Sequence, residues 1–233
     1  MKKNISVLIL AAGKGKRMKS KKPKILFEIA NKPMILHIVD SCLDIGIKNI
    51  SVVLNKDSEL IKNVLPKKIN IIVQKEQLGT AHAILASEKK YKNFKGKLLV
   101  LYGDVPLTNK STLIKLINKV ENSKPHILAF NSTNPKGYGR LITNKKEIIK
   151  VVEEKNASPQ VKKISLCNSG ILCSNASFLF NTLNKVKKNL KTKEYLLTDI
   201  FELSHKLKKP FNFILVNETE VLGVNNRKQL ALV

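Results

Sequence analysis

Apolar residues in this chain fall into two alternating patterns: short continuous runs, and stripes at helical spacing. Residues 6–11 form a continuous apolar run and read as a buried strand. Pro33 is a favoured helix opener, and after it Met34, Ile35, Ile38, Val39 and Leu43 recur at helical spacing until Gly46. The same reading predicts strands over 49–54, 69–73 and 97–102, and helices over 58–65, 80–87 and 110–121. From His126 strands follow one another over 126–130, 140–143 and 148–152, the last two joined by a lysine turn. A strand over 166–173, helices over 176–183 and 198–206, a strand over 211–216 and a helix from 227 to 232 complete the pattern. Strand–helix alternation in the first half predicts a parallel sheet covered on both faces. The run of strands after His126 predicts that the sheet then becomes mixed. The expected fold is therefore α/β, a Rossmann-like three-layer sandwich with a mixed, mainly parallel central sheet. Without a linker or an internal repeat, residues 1–233 are expected to form one domain.

The first predicted strand breaks at Gly13 into a loop, Gly13-Lys14-Gly15-Lys16-Arg17-Met18, with Pro23-Lys24 further on. Between Gly13 and Lys24 the loop carries seven positive residues and no acidic one. Glycines let backbone N–H groups approach an anion, and lysine and arginine neutralise phosphate oxygens. The loop suits a polyphosphate. It is not a P-loop, which needs Gly-Lys followed by Ser or Thr four residues after a first glycine. Nor is it the dinucleotide fingerprint, because Met18 occupies the place of the third glycine.

In open sheets ligands bind beyond the carboxyl ends of the strands, and the remaining unusual residues fall at such ends. Gln74, Gln77, Gly79 and Thr80 follow the third strand, and Tyr102-Gly103-Asp104 ends the fourth. A glutamine offers both donor and acceptor to the edge of a uracil ring, although the stretch also reads as a plain helix N-terminus. Asp104 would deliver a carboxylate to the top of the sheet. Magnesium takes one or two protein oxygens together with phosphates and waters, so Asp104 is a candidate ligand and Asn225 a candidate second one. The less favoured alternative is that Asp104 merely caps the following turn and Asn225 the last helix.

Composition narrows the classes. No apolar stretch approaches the roughly 20 residues that span a bilayer. The short apolar run near the N-terminus is a poor signal peptide, since cleavage there would remove the phosphate loop. Cys42, Cys167 and Cys173 form neither an even disulfide set nor a Cys-x-x-Cys pair, and reduced thiols in a cytoplasmic protein are expected. A net charge of +26 raises nucleic-acid binding, but the lysines are spread along the chain and aromatics are only 5%, leaving few stacking platforms. No stable nucleic-acid partner is expected. Of 43 basic residues only Arg17, Arg140 and Arg227 are arginine, and each lies in a Gly-containing motif where a planar fork can matter.

Taken in order, these motifs resemble the nucleoside-triphosphate:sugar-1-phosphate nucleotidyltransferases. More closely, they are similar to the N-terminal uridylyltransferase domains of the bacterial bifunctional N-acetylglucosamine-1-phosphate uridylyltransferases/glucosamine-1-phosphate acetyltransferases. The similarity rests on residues 10–18 with Pro23-Lys24, 74–83, 102–107, Gly137-Tyr138-Gly139-Arg140, Glu153, 168–171, 194–199 and 223–226. The resemblance implies transfer of UMP from UTP to N-acetylglucosamine 1-phosphate with magnesium, in the cytoplasm, giving UDP-N-acetylglucosamine for cell-wall precursors. It implies that Leu10, Ala11, Ala12 and Gly13 contact the nucleotide, that Arg17 and Lys24 grip the triphosphate, and that Gln74, Gly79 and Thr80 read the base. By the same resemblance Asp104 and Asn225 hold the metal, and Tyr102, Gly103, Gly139, Glu153 and Asn168 line the sugar-phosphate pocket. The catalytic set is then Arg17, Lys24 and Asp104. The second, β-helical acetyltransferase half of that family is expected to be absent, and no oligomeric state follows.

Three positions depart from the pattern. Lys16 stands where a small hydroxyl residue is common, Asn31 where glycine is usual, and Leu196 where a second aromatic often follows Tyr195. Asn31 suits a left-handed backbone better than most residues. Leu196 bears on the acetamido pocket. Two other readings stand beside the favoured one: a related transferase for another sugar or base, and a non-catalytic binder of nucleotide sugars or RNA, against which the joint presence of Arg17, Lys24, Asp104 and Asn225 argues.

Overall fold

The computed structural model describes residues 4–120 and 124–233; Glu121, the last residue of one predicted helix, and the side chain of Lys16 lie outside the described residues. The strands are β1 (Ile5–Leu10), β2 (Glu28–Ile29), β3 (Lys32–Pro33), β4 (Ile50–Asn55), β5 (Asn70–Gln74) and β6 (Lys97–Tyr102). They continue with β7 (His126–Asn131), β8 (Arg140–Asn144), β9 (Glu147–Val152), β10 (Leu166–Asn175) and β11 (Asn212–Leu215). Among the described residues, nine of these build one sheet in the order β5-β4-β1-β6-β10-β7-β11-β9-β8, and β2 and β3 pair separately. β5, β4, β1 and β6 are mutually parallel. β10 enters antiparallel between β6 and β7, and β11 pairs parallel to β7. The sheet is thus mixed from the sixth strand onward, as the crowding of strands after His126 predicts.

The helices are α1 (Met34–Asp44), α2 (Glu59–Val64), α3 (Thr80–Leu85), α4 (Glu88–Tyr91) and α5 (Lys110–Lys119), then α6 (Pro159–Lys162), α7 (Ala176–Leu183), α8 (Asp199–Lys206) and α9 (Arg227–Leu230). Alternate residues of a strand face opposite sides, and β1 shows what this does. Val7 and Ile9 pack with Ile35 and Val39 of α1 and Leu113 and Ile117 of α5. Leu8 and Leu10 pack on the other side with Ala81 and Ile84 of α3, Leu183 of α7 and Phe201 of α8. Two apolar cores, one on each face, make the three layers. β1, with residues 7–9 fully buried, is the centre of both.

The observed elements differ from the pattern-based ones mainly at their ends. β5 runs one residue further than the apolar run, so Gln74 closes the strand instead of following it. As the sheet's edge it leaves Ile71 and Val73 exposed. The predicted helix over 80–87 stops at Leu85, and the Ser87 hydroxyl bonds the Ile84 carbonyl at 2.6 Å before α4 begins. A hydroxyl that engages the backbone in this way competes with the helix ladder. The β2–β3 hairpin is not visible in the apolar pattern. Its two turn residues, Ala30 and Asn31, have φ of 48° and 59°. Both positions of such a two-residue turn must be left-handed, which is why the asparagine is at home there.

Candidate active site

The loop after β1 is shaped by its neighbours. The Ala12 carbonyl accepts from the side-chain amides of Asn55 and Gln77, each at 3.2 Å. Because a trans peptide is planar, this sets the direction of the Gly13 N–H on the opposite edge. A Cβ built on Gly13 would meet nothing within 4 Å, and Gly13 lines the cleft beside the loop. Gly15, at φ +59°, closes the turn against Lys24, whose Cβ would lie 2.8 Å from a side chain there. This contact folds the basic loop back onto the top of the sheet.

Lys24 reaches from that loop to the end of β6 and pairs with the Asp104 carboxylate. The same ammonium donates to Oδ1 of Asn225 at 3.0 Å, and Arg17 Nη2 donates to that oxygen at 2.9 Å. Asn225 is carried to Asp104 by a backbone bond, Val224 N–H to the Asp104 carbonyl at 2.8 Å, with Val224 fully buried. Its own N–H is held by Gln229 of α9 at 2.8 Å. A carboxylate oxygen and an amide oxygen therefore face one point that an ammonium now fills. Two hard oxygens converging on a cation fit the small protein share of a magnesium sphere. Among the described residues no three His, Cys, Asp or Glu side chains converge, so an ion held here would complete its sphere with substrate oxygens and water.

Beside this cluster opens a cleft of about 490 Å³ lined by Leu10, Ala11, Ala12 and Gly13 on one side and Gln74, Gly79 and Thr80 on the other. Gln74 is buried, and its amide nitrogen donates to the Gly79 carbonyl at 3.2 Å and meets Nδ1 of His82 at 3.0 Å. His82 in turn stacks on Tyr195, a structural role that leaves the glutamine oriented. Gly79 has φ +99°, and a Cβ there would lie 2.6 Å from the Tyr195 carbonyl. That carbonyl accepts from Ala81, and the Tyr195 N–H donates to the Leu78 carbonyl at 2.7 Å. The segment around Tyr195 is thereby laid directly on the loop that opens α3.

The sugar-pocket candidates gather around Tyr102. Burial first, and then the Asp104 and Glu153 carboxylates, push its phenol upward, so it stays protonated and able to donate. Asn168 lies where β10 changes register, its N–H on the Gly139 carbonyl at 2.9 Å and its Oδ1 accepting from the Gly170 N–H at 3.0 Å. Oε2 of Glu153 lies 3.8 Å from where a Gly139 Cβ would stand. Gly103 sits against Ala11 and Ile25, holding Asp104 close to the phosphate loop.

Five residues line the cleft that the motif reading does not single out as site residues: Lys14, Ile25, Gln77, Ala83 and Glu194. Gln77 could be found from its place in the motif after β5; Glu194 is far away in sequence and is brought in only by the Leu78–Tyr195 bonds. The arginines divide. Arg17 belongs to the cluster, whereas Arg140 is 1% exposed and serves the fold, donating to the carbonyls of Ile164 and Tyr138 and to Glu154. Arg227 donates to the Met18 carbonyl at 3.4 Å, tying α9 to the basic loop. All three cysteines are buried free thiols. Among the described residues no helix is long and apolar enough to cross a membrane.

The family model described as Nucleotidyl transferase matches residues 6–218. The Bifunctional protein GlmU of Thermosipho melanesiensis is 41% identical over 230 residues, covering 97% of this chain and 49% of that protein. The protein of the same name from Pelotomaculum thermopropionicum is 40% identical, with coverages of 98% and 51%. The chain thus spans about half the length of the curated relatives it matches. A solved structure of a candidate glucose-1-phosphate thymidylyltransferase from Bacillus anthracis, in complex with a sucrose, superposes with a TM-score of 0.80 at 18% identity, covering 98% of this chain and 93% of that one. At that identity the likeness speaks for the fold.

Proposed function

We propose that this chain, which belongs to the nucleotidyl transferase family, transfers UMP from UTP to N-acetyl-α-D-glucosamine 1-phosphate, releasing pyrophosphate. The observation that carries this reading is the convergence of the basic loop, the Gln74–Thr80 loop and the Lys24–Asp104–Asn225 cluster on one cleft. The choice of acetylated sugar and of uracil is supported by the GlmU relatives and by the motifs from Gln74 to Ala83 and Gly137 to Arg140.

Each part has chemistry to do. Gly13 and its neighbours line the cleft, where their backbone N–H groups receive phosphate oxygens. With its amide nitrogen occupied twice, Gln74 has its oxygen left, an acceptor for the ring N–H that uracil has and cytosine lacks. In the reaction an oxygen of the sugar phosphate attacks the α-phosphorus of UTP in line, and the bond from that phosphorus to the bridging oxygen breaks. The nucleophile is already an anion, so no general base is required. Arg17 and Lys24 neutralise the charge that moves onto pyrophosphate, and the loop and sugar pocket hold two anions in position. Magnesium, held by Asp104 and Asn225, would orient and screen the phosphate oxygens. Lys24 must leave those two oxygens to reach the triphosphate.

The test is pyrophosphate release from UTP with N-acetylglucosamine 1-phosphate, glucosamine 1-phosphate and glucose 1-phosphate in turn. Release with the acetylated sugar alone is expected. Release with another sugar instead moves the substrate, and silence with all three removes the catalytic reading.

A further inference from the structure

Thr198 stands immediately before α8, where a threonine ordinarily accepts from a backbone N–H of the first turn. It does not do so here: its side chain makes no cap bond, and its backbone is already helical at φ −61°, ψ −20°. The hydroxyl instead donates to Oε1 of Glu153 at 3.1 Å, across 45 residues of chain, and Thr198 is buried at 7% exposure. Among the described residues Oε2 of Glu153 has no hydrogen bond or ion pair. It is the oxygen that lies beside Gly139, 3.8 Å from where a Cβ would stand; Val151 Cγ1, 2.9 Å from the same point, is what crowds that position. The half-buried Asp199, whose carboxyl is pushed upward by burial and then by Glu202 and Glu153, adds no cation that could hold Glu153 in place of the threonine.

We infer that Thr198 is a positioning residue for the sugar-phosphate pocket, pinning one carboxylate oxygen of Glu153 so that the other is presented beside Gly139 to a substrate hydroxyl. A carboxylate on a free side chain samples several rotamers, and fixing one oxygen removes that freedom before substrate arrives. The segment that carries Thr198 is itself fixed at its other end, where Tyr195 bonds Leu78 and Ala81. Thr198 is therefore held from both sides, by α8 and by the nucleotide loop. The inference rests on the proposed sugar-phosphate substrate.

The experiment compares Thr198→Val and Thr198→Ser with the parent in steady-state pyrophosphate release, varying UTP and N-acetylglucosamine 1-phosphate separately. Valine keeps the shape and removes the donor, and losing one hydrogen bond to a charged group predicts about a tenfold rise in KM for the sugar phosphate. KM for UTP is expected to stay within about twofold of the parent, and serine, which keeps the hydroxyl, to restore the sugar KM. In a Glu153→Gln background the valine change is expected to add little, since the two residues act as one unit. A sugar KM unchanged in Thr198→Val, an equal rise in both KM values, or no rescue by serine in an active parent would overturn this inference and leave the transferase reading standing. A parent silent with every sugar phosphate would overturn both.

Discussion

Lys24 and Asp104, 80 residues apart in the chain, are ion-paired across the mouth of the cleft, with Asn225 accepting from the same ammonium. The two charged side chains are 13% and 18% exposed, so solvent screens the pair less than it would on the surface. The ammonium occupies the point on which both oxygens converge and so competes with a divalent cation for it. Lys24→Met is therefore expected to bind manganese several-fold more tightly than the parent in the absence of nucleotide, read by electron paramagnetic resonance titration. The same variant is expected to lose turnover, because the triphosphate loses a cation. Equal manganese affinity in both proteins would show that Lys24 does not guard these oxygens.

Arg17 is tied to Asn225 at 2.9 Å and lies in the loop that carries Lys24. An electrostatic group aimed at departing charge is worth about a hundredfold or more in rate. Arg17→Ala is expected to lower kcat by at least that factor in the pyrophosphate assay with its fold unchanged by circular dichroism. A variant within about tenfold of the parent would take Arg17 out of the catalytic set.

Gly79 combines a left-handed φ with a carbonyl 2.6 Å from where a Cβ would go. Gly79→Ala must shift either the nucleotide loop or the Tyr195 segment. A loss of about 1–3 kcal/mol in unfolding free energy is expected for the strain, with a raised KM for UTP. Chemical denaturation and steady-state kinetics check the two effects, and an alanine variant matching the parent in both would contradict the packing described.

Arg140 makes the opposite forecast. It is buried and engages two carbonyls and Glu154, away from the cleft lining. Arg140→Met leaves these acceptors without a donor, and a loss of about 3 kcal/mol is expected. Turnover per folded molecule should stay near that of the parent. The Arg140 bond holds the partly exposed Glu154 carboxyl below its ordinary value, so its stabilisation is present above the unfolded value of 4.5 and is lost as pH falls through the folded one. Denaturation curves of parent and variant should therefore converge toward acid. A constant gap at all pH values would contradict the assignment.

Much of this was legible from pattern. β1, β4, β5 and β6 each show as an apolar run, and the residues at their ends, Gly13, Gln74 and Asp104, line the cleft because a parallel sheet brings those ends together. Asn225 is near Asp104 through one backbone bond from Val224, which no periodicity announces. Arg140 shows why residue rarity is an ambiguous signal: a guanidinium can be kept for its fork geometry inside a fold as readily as for a phosphate. Ala30 gives no hint of its left-handed turn, since alanine is a poor resident there; only Asn31 beside it does. Glu194 and Thr198 matter through partners far along the chain, so their setting emerges only from packing.

The central claim is the transfer of the uridylyl group itself. Incubating the protein with magnesium, N-acetylglucosamine 1-phosphate and UTP labelled at the α-phosphate follows that group directly. The label is expected in UDP-N-acetylglucosamine, with unlabelled pyrophosphate released in equal amount. Label that remains in UTP, or that ends in UDP or UMP without a sugar attached, would contradict the account.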